Sequence, residues 1–313
     1  MQEIFYTFMD ILNEKTIVSY SIVLIFGLLI GSFLNVVIYR LPVMMNLEFL
    51  ESIKDVTSLS DETITSKMSP EEKNEYNTMM SMKGINLSFP RSRCGACNQK
   101  IKMWHNIPVI SYLMLRGKCS SCSIHYSPRY LFIELFIGLF WCFSFYQFGL
   151  SIEFLIITPV FTALIASLFI DLDHKLLPDS ITYASLFAGL FYSTASEMAL
   201  TTPQYAILGV ILGYLGIFIV VKTYEKLRGI GMMMGDGDLK LYAMCGAWIG
   251  FYNLSYLILL STVLGLLQFL LLTPFLKNIK NHELPFGPAI LVSLFFFIYF
   301  NEYTMNTFGS IFN

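Results

Sequence analysis

The chain has 313 residues and a formal charge of −2, with 55% hydrophobic and 13% charged residues and a mean hydropathy of +0.62. Soluble domains carry about a quarter of their residues as charged groups, so this composition excludes an ordinary soluble domain and points to an integral membrane protein. A balance this close to neutral gives no reason to expect a nucleic-acid partner; the expected surroundings are lipid.

In chain order, apolar runs near the length needed to cross hydrocarbon fall at 17–39, 130–148, 152–170, 181–195, 205–221, 254–275 and 285–300. The first is read as a retained span, because the residues before it carry Glu3, Asp10 and Glu14 against Lys15 and the run exceeds a signal-peptide core. An eighth run, 241–251, is short for a crossing, and hydropathy alone leaves it open between a span and a re-entrant segment. Charge decides. If all eight cross, 19 of the 20 Lys and Arg residues lie on one side or at its boundary, Lys15 being the exception. Without the eighth crossing, Lys277 and Lys280 would move to the outer face, against the bias that makes inner loops basic. The expected fold is an all-α polytopic membrane protein of about eight transmembrane helices, both termini outside, with a cytoplasmic zinc-binding loop domain between the first two. Its divisions are a first transmembrane helix at 17–39, a cytoplasmic domain at 40–129 and a transmembrane core at 130–301.

The first half of the polar region is charged, rich in Ser and Thr and poor in aromatics, and reads as a partly helical or mobile insert. Its Glu71, Glu72 and Glu75 either attract a basic partner segment or only keep the loop solvated. The second half carries Cys94 and Cys97, answered after 21 intervening residues by Cys119 and Cys122. Two CxxC pairs at this spacing match a closed tetrahedral zinc site, which is structural because no coordination position stays open. Two disulfides fit poorly, since positive charge places this loop in the reducing cytoplasm. Cys142 and Cys245 lie in apolar segments and read as small hydrophobes.

Carboxylates at a membrane boundary are costly and call for a partner or a role. Two clusters qualify, both on the cytoplasmic side of the charge count. DLDHKLLPD supplies Asp171, Asp173, His174 and Asp179, and GDGDLK supplies Asp236 and Asp238. Facing carboxylates that cannot both ionise share a proton; the ionised member activates water while the protonated one polarises a carbonyl. That chemistry hydrolyses a peptide without a metal or a covalent intermediate. Gly235 and Gly237 would let the backbone before Asp238 turn sharply and approach a neighbour closely. Asp171 and Asp238 abut the apolar runs and are the candidates for chemistry, whereas Asp173, Asp179 and Asp236 read as helix caps or solvated ends. A rival assignment has the acids and His174 holding a divalent cation in a membrane transferase, and composition leaves the two open. A third has no catalysis at all, the cysteine loop docking a secretion assembly as a scaffold.

GSFLNVVIYRLP at 31–42, LSFPRSRCGAC at 87–97, HNIPVISYLMLRGKCSSC at 105–122, SPRYLFIE at 127–134, IDLDHKLLPD at 170–179, GDGDLKL at 235–241 and LPFGP at 284–288 together resemble the bacterial type IV prepilin peptidases, membrane aspartic proteases with a GxGD motif. The resemblance covers nearly the whole chain. It implies a multi-pass protein of the bacterial inner membrane that cuts the basic leader from prepilins and pseudopilins of pilus or type II secretion systems at the cytoplasmic face, between a glycine and usually a phenylalanine. It also implies N-methylation of the new terminus with S-adenosylmethionine, in members that carry the four-cysteine zinc loop. The catalytic acids it implies are Asp171 and Asp238, with Gly235 and Gly237 completing the motif. Asp236 stands where other members often show an uncharged residue. No Rossmann-type glycine fingerprint is present, so no methyl-donor site follows from pattern; the regions to search are 31–42 and the cysteine loop.

Overall fold

The structure is a computed structural model, described over residues 15–57, 69–94, 96–102, 104, 107–229, 234–272 and 284–300. Among these residues it is helical, with strand pairing confined to two isolated bridges, Arg93 with Lys100 and Lys118 with His125. The helices are α1 (Ile17–Thr57), α2 (Pro70–Ser81), α3 (Ile110–Met114), α4 (Arg129–Phe148), α5 (Ile152–His174), α6 (Asp179–Ala195), α7 (Pro203–Arg228), α8 (Asp236–Leu272) and α9 (Gly287–Tyr299). By length and composition α1, α4, α5, α7 and α8 are able to cross a membrane, and α9 is a shorter apolar helix. The chain divides into two compact units, Thr16–Phe143 and the remainder.

The run 17–39 predicts a helix ending near Tyr39, but α1 continues to Thr57. Leaving an apolar run does not end a helix, whose hydrogen bonds are local. Pro42 removes one donor, and the Met, Leu, Glu and Lys residues beyond it are good helix formers. Within Thr16–Phe143, α1 packs on α4 through glycines. A Cβ on Gly27 would sit 2.9 Å from Trp141 Cβ, and one on Gly31 would sit 2.9 Å from Glu134 Cα. Small residues at such a seam let two backbones approach where lipid offers no hydrophobic drive to hold them together.

In the other unit α8 is central, packing against α6, α7 and α9. The short run 241–251 and the long run 254–275 join in this one helical stretch, broken at Gly250 (φ 74, ψ 176), a left-handed conformation that glycine adopts without penalty. Residues 273–275 lie outside the described residues. Every residue from 241 to 250 is buried, so this segment is core on all faces rather than amphipathic. Its closest neighbour is α7, where Gly209 and Gly246 meet backbone to backbone. A Cβ on Gly213 would lie 2.6 Å from the Tyr242 carbonyl oxygen. Trp248 locks α6 in turn: its Nε1–H donates to the Ser185 carbonyl at 2.9 Å, its ring stacks on Tyr192, and it fills the space left by the missing side chain of Gly189. Cys245 is part of this core, and Cys142 is half-buried in the other unit.

Candidate active site and metal centre

The cysteines form two turns of the same design. Cys94 N–H donates to Gln99 O at 3.0 Å and Asn98 N–H to Cys94 O at 2.9 Å; Cys119 N–H donates to Ile124 O at 2.9 Å and Ser123 N–H to Cys119 O at 3.0 Å. Asn98 (φ 55) and Ser123 (φ 58) take the left-handed conformation at equivalent places, four residues after the first cysteine of each pair. All four Sγ atoms lie within 4.8 Å of one another, and Cys94 Sγ is 3.8 Å from Cys122 Sγ. A tetrahedron with metal–sulfur bonds of about 2.3 Å has edges of about 3.8 Å, so the cluster fits one ion. The electrostatics agree. The Ser121 and Cys122 N–H groups and the Tyr126 hydroxyl push the Cys119 thiol down to about 6, and the Cys97 and Ala96 N–H groups lower that of Cys94. Cys122 moves the other way, to about 12: although the Ile124 N–H lowers it, burial and the neighbouring sulfurs outweigh that donor. Four thiolates crowded without a cation repel one another, which is the condition a bound metal relieves.

The acids come together differently. Lys175 ends α5 in the left-handed conformation (φ 54), its N–H returning to Asp171 O at 2.9 Å. Asp171 therefore occupies the last turn of α5, buried at 4% exposure, and its Oδ2 has no hydrogen-bond partner among the described residues. Asp238, half-buried in the first turn of α8, is close enough for its charge to act on Asp171. Gly287, the first residue of α9, turns its backbone toward the Asp171 carboxylate; a Cβ there would lie 2.5 Å from Oδ2. Leu177 fills the remaining gap, within 3.0 Å of a Cβ built on Gly237 and 3.2 Å of one built on Gly287. Thus the C-terminal end of α5 meets the N-terminal ends of α8 and α9, whose unpaired N–H groups and dipoles favour negative charge.

The other acids stay outside this junction of helix ends. Asp173, His174 and Asp236 are exposed, and Asp179 is exposed with both oxygens 2.7 Å from Lys240 Nζ. Asp179 thus holds α6 to α8 rather than capping α6, which has no side-chain cap. Gly235 and Gly237 are not in positive-φ conformations. Gly237 lies inside the first turn of α8, where close approach to Leu177 explains it, and a side chain at Gly235 would meet nothing within 4 Å. Among the described residues only the cysteines bring three or more metal-ligating groups together. The side chains of Glu71, Glu72 and Glu75 lie outside the described residues.

Two known-family descriptions match the chain: the bacterial peptidase A24 N-terminal domain over residues 25–148, which include all four cysteines, and the type IV leader peptidase family over 156–271, which include both acids. Relatives from Neisseria gonorrhoeae and Stutzerimonas stutzeri are each 36% identical to it, with 86% of both chains covered. A third, from Legionella pneumophila, is 32% identical with 88% of both covered. All three are named prepilin leader peptidase/N-methyltransferase. The chain belongs to the type IV leader peptidase family. No solved structure matches it. For a leader peptidase the residues that sequence reasoning left without a role are Leu177, Lys240 and Gly287. All three stand in quoted stretches, Leu177 in IDLDHKLLPD, Lys240 in GDGDLKL and Gly287 in LPFGP, which hinted at importance without showing a contact.

Proposed function

We propose that Asp171 and Asp238 are the catalytic pair of this leader peptidase, cutting the basic leader from prepilins and pseudopilins at the cytoplasmic face of the bacterial inner membrane. The observation that carries this reading is the buried Asp171 carboxylate, one oxygen unpartnered, beside Asp238 where three helix ends meet. One carboxylate removes a proton from water, whose oxygen attacks the scissile carbonyl; the protonated partner donates to the carbonyl oxygen. The tetrahedral intermediate collapses as the first acid returns its proton to the departing amine and the second regains its own from the hydroxyl that becomes the new carbonyl. The Gly287 and Gly237 backbones bring α9 and α8 up to these acids and leave Leu177 to exclude water behind them.

In the same reading, α1 is the first transmembrane helix, 40–129 is cytoplasmic, and 130–301 is the transmembrane core supplying both acids. Eight crossings are supported by the lysine and arginine count and by the break at Gly250, which lets the short buried arm of α8 and its longer continuation run as separate segments. Zinc, held by Cys94, Cys97, Cys119 and Cys122, would tie the two turns together as a structural ion. S-adenosylmethionine would supply an electrophilic methyl group to the newly exposed amine. No residue is assigned to hold it: a cation-lined cleft between α1 and the cysteine region is a poor match for a sulfonium and an ammonium.

The test is cleavage of a prepilin with a basic leader and a Gly-Phe junction by purified wild type, Asp171→Asn and Asp238→Asn, with mass spectrometry of the product terminus. Each variant is expected to lose at least about 100-fold in cleavage rate. Wild type is expected to yield a terminus heavier by one methyl group. Cleavage persisting in either variant moves the assignment to Asp173, Asp179 or Asp236.

A further inference from the structure

Within Thr16–Phe143 a cleft of about 510 Å³ opens between α1 and the chain before and after the first cysteine pair. Four cations line it, Arg40, Arg91, Lys100 and Lys102, and no acid does. Arg40 is buried, at 8% exposure, and its guanidinium is held in place by backbone oxygens, Nη1 donating to Asn86 O at 2.7 Å and Nη2 to Pro90 O at 2.6 Å. None of the four pairs with a carboxylate among the described residues. Carbonyl oxygens satisfy donors but do not neutralise charge, so a buried guanidinium beside three more cations leaves a site that favours an anion.

The depth of the cleft narrows the choice. Val36 and Arg40 are one helical turn apart, across the end of the apolar run 17–39; on the reading of α1 as the first transmembrane helix, on which this inference rests, that is the level at which lipid phosphates lie. The lining mixes apolar residues, Val36, Leu87, Pro90 and Ile101, with the four cations. A phosphate with attached acyl chains suits such a surface, whereas a freely soluble anion has no use for the apolar part. We propose that this cleft binds the phosphate head group of an anionic membrane phospholipid. The proposal stands independently of the role given to the two acids.

The test is native mass spectrometry of the full chain in detergent, titrated with phosphatidylglycerol or phosphatidylcholine, for wild type, R91Q/K100Q/K102Q and the charge-preserving R91K/K100R/K102R. Wild type is expected to retain one phosphatidylglycerol in preference to phosphatidylcholine. The neutralised variant should bind it on the order of 100-fold more weakly, at about tenfold per 1.4 kcal/mol and roughly 1 kcal/mol per lost cation, and the charge-preserving variant should recover. Zinc content reports whether each variant keeps its fold. Should the neutralised variant lose its zinc, wild-type discrimination between the two lipids, and its weakening by salt, answer the same question. Equal retention of both lipids, or unchanged retention in a folded neutralised variant, overturns the proposal. Displacement of the lipid by inorganic phosphate at similar concentration overturns the lipid source in favour of free phosphate.

Discussion

The cysteine cluster and the aspartate pair are built on opposite plans. Each cysteine pair is a local turn, closed by hydrogen bonds spanning four or five residues and repeated almost unchanged 25 positions later, at Cys94 and Cys119. The aspartates are 67 residues apart in sequence and have no turn of their own; they meet because α5, α8 and α9 end at one place. A site of the first kind is read from spacing. The second depends on helices being held at the right distance, and glycines such as Gly246, far from either acid, set that distance.

The sharpest test of this contrast crosses the readouts. Asp171→Asn should reduce prepilin cleavage by at least about 100-fold while leaving one zinc per chain by elemental analysis. Cys94→Ser with Cys119→Ser should abolish zinc binding in the same assay, since two thiolates of a closed shell are lost. Next in size, Gly246→Leu should cost about 3 kcal/mol or more in detergent denaturation, because a side chain there overlaps the Gly209 backbone and forces α7 off α8. Survival of the variant at wild-type stability would contradict the packing. Gly287→Ala is smaller: its methyl group must push Asp171 or Leu177 aside, and about tenfold slower cleavage is expected with the thermal midpoint nearly unchanged.

Acidity should separate the regions as well. Cys119 is held below its ordinary thiol value, at about 6, so its thiolate contribution is fully present above the unfolded value near 9 and is lost as pH falls through about 6. Protons then compete with the metal, and zinc release to a chelator should steepen on acidification through that range. The smallest effect belongs to Lys240→Met. The ion pair with Asp179 is partly exposed, so it should cost less than about 1 kcal/mol and change cleavage only a few-fold.

Much of this was legible before any helix was placed. Runs of apolar residues identified most of the helices because burying side chains in lipid or core requires that composition over that length. The four cysteines were legible because a cluster able to hold one metal ion imposes its own spacing. The extension of α1 past residue 39 was missed because hydropathy marks where lipid ends, not where a helix does. Asp179 read as a cap, and it pairs instead with Lys240, a contact across 61 residues that no local pattern contains. Of the two roles expected of Gly235 and Gly237, a sharp turn and close approach to a neighbour, the structure shows the second at Gly237, while a side chain at Gly235 would meet nothing within 4 Å.

By itself the sequence determined the helical membrane class, the cysteine turns and the shortlist of acids, because composition, spacing and the cost of charge near lipid all act locally along the chain. Only the tertiary structure decided that 241–250 is buried core, that Leu177 and Gly287 enclose Asp171, and that four cations face one cleft. Those facts depend on which helix faces touch, and the touching faces are chosen by fitting backbones together at glycines whose partners lie far away in the chain.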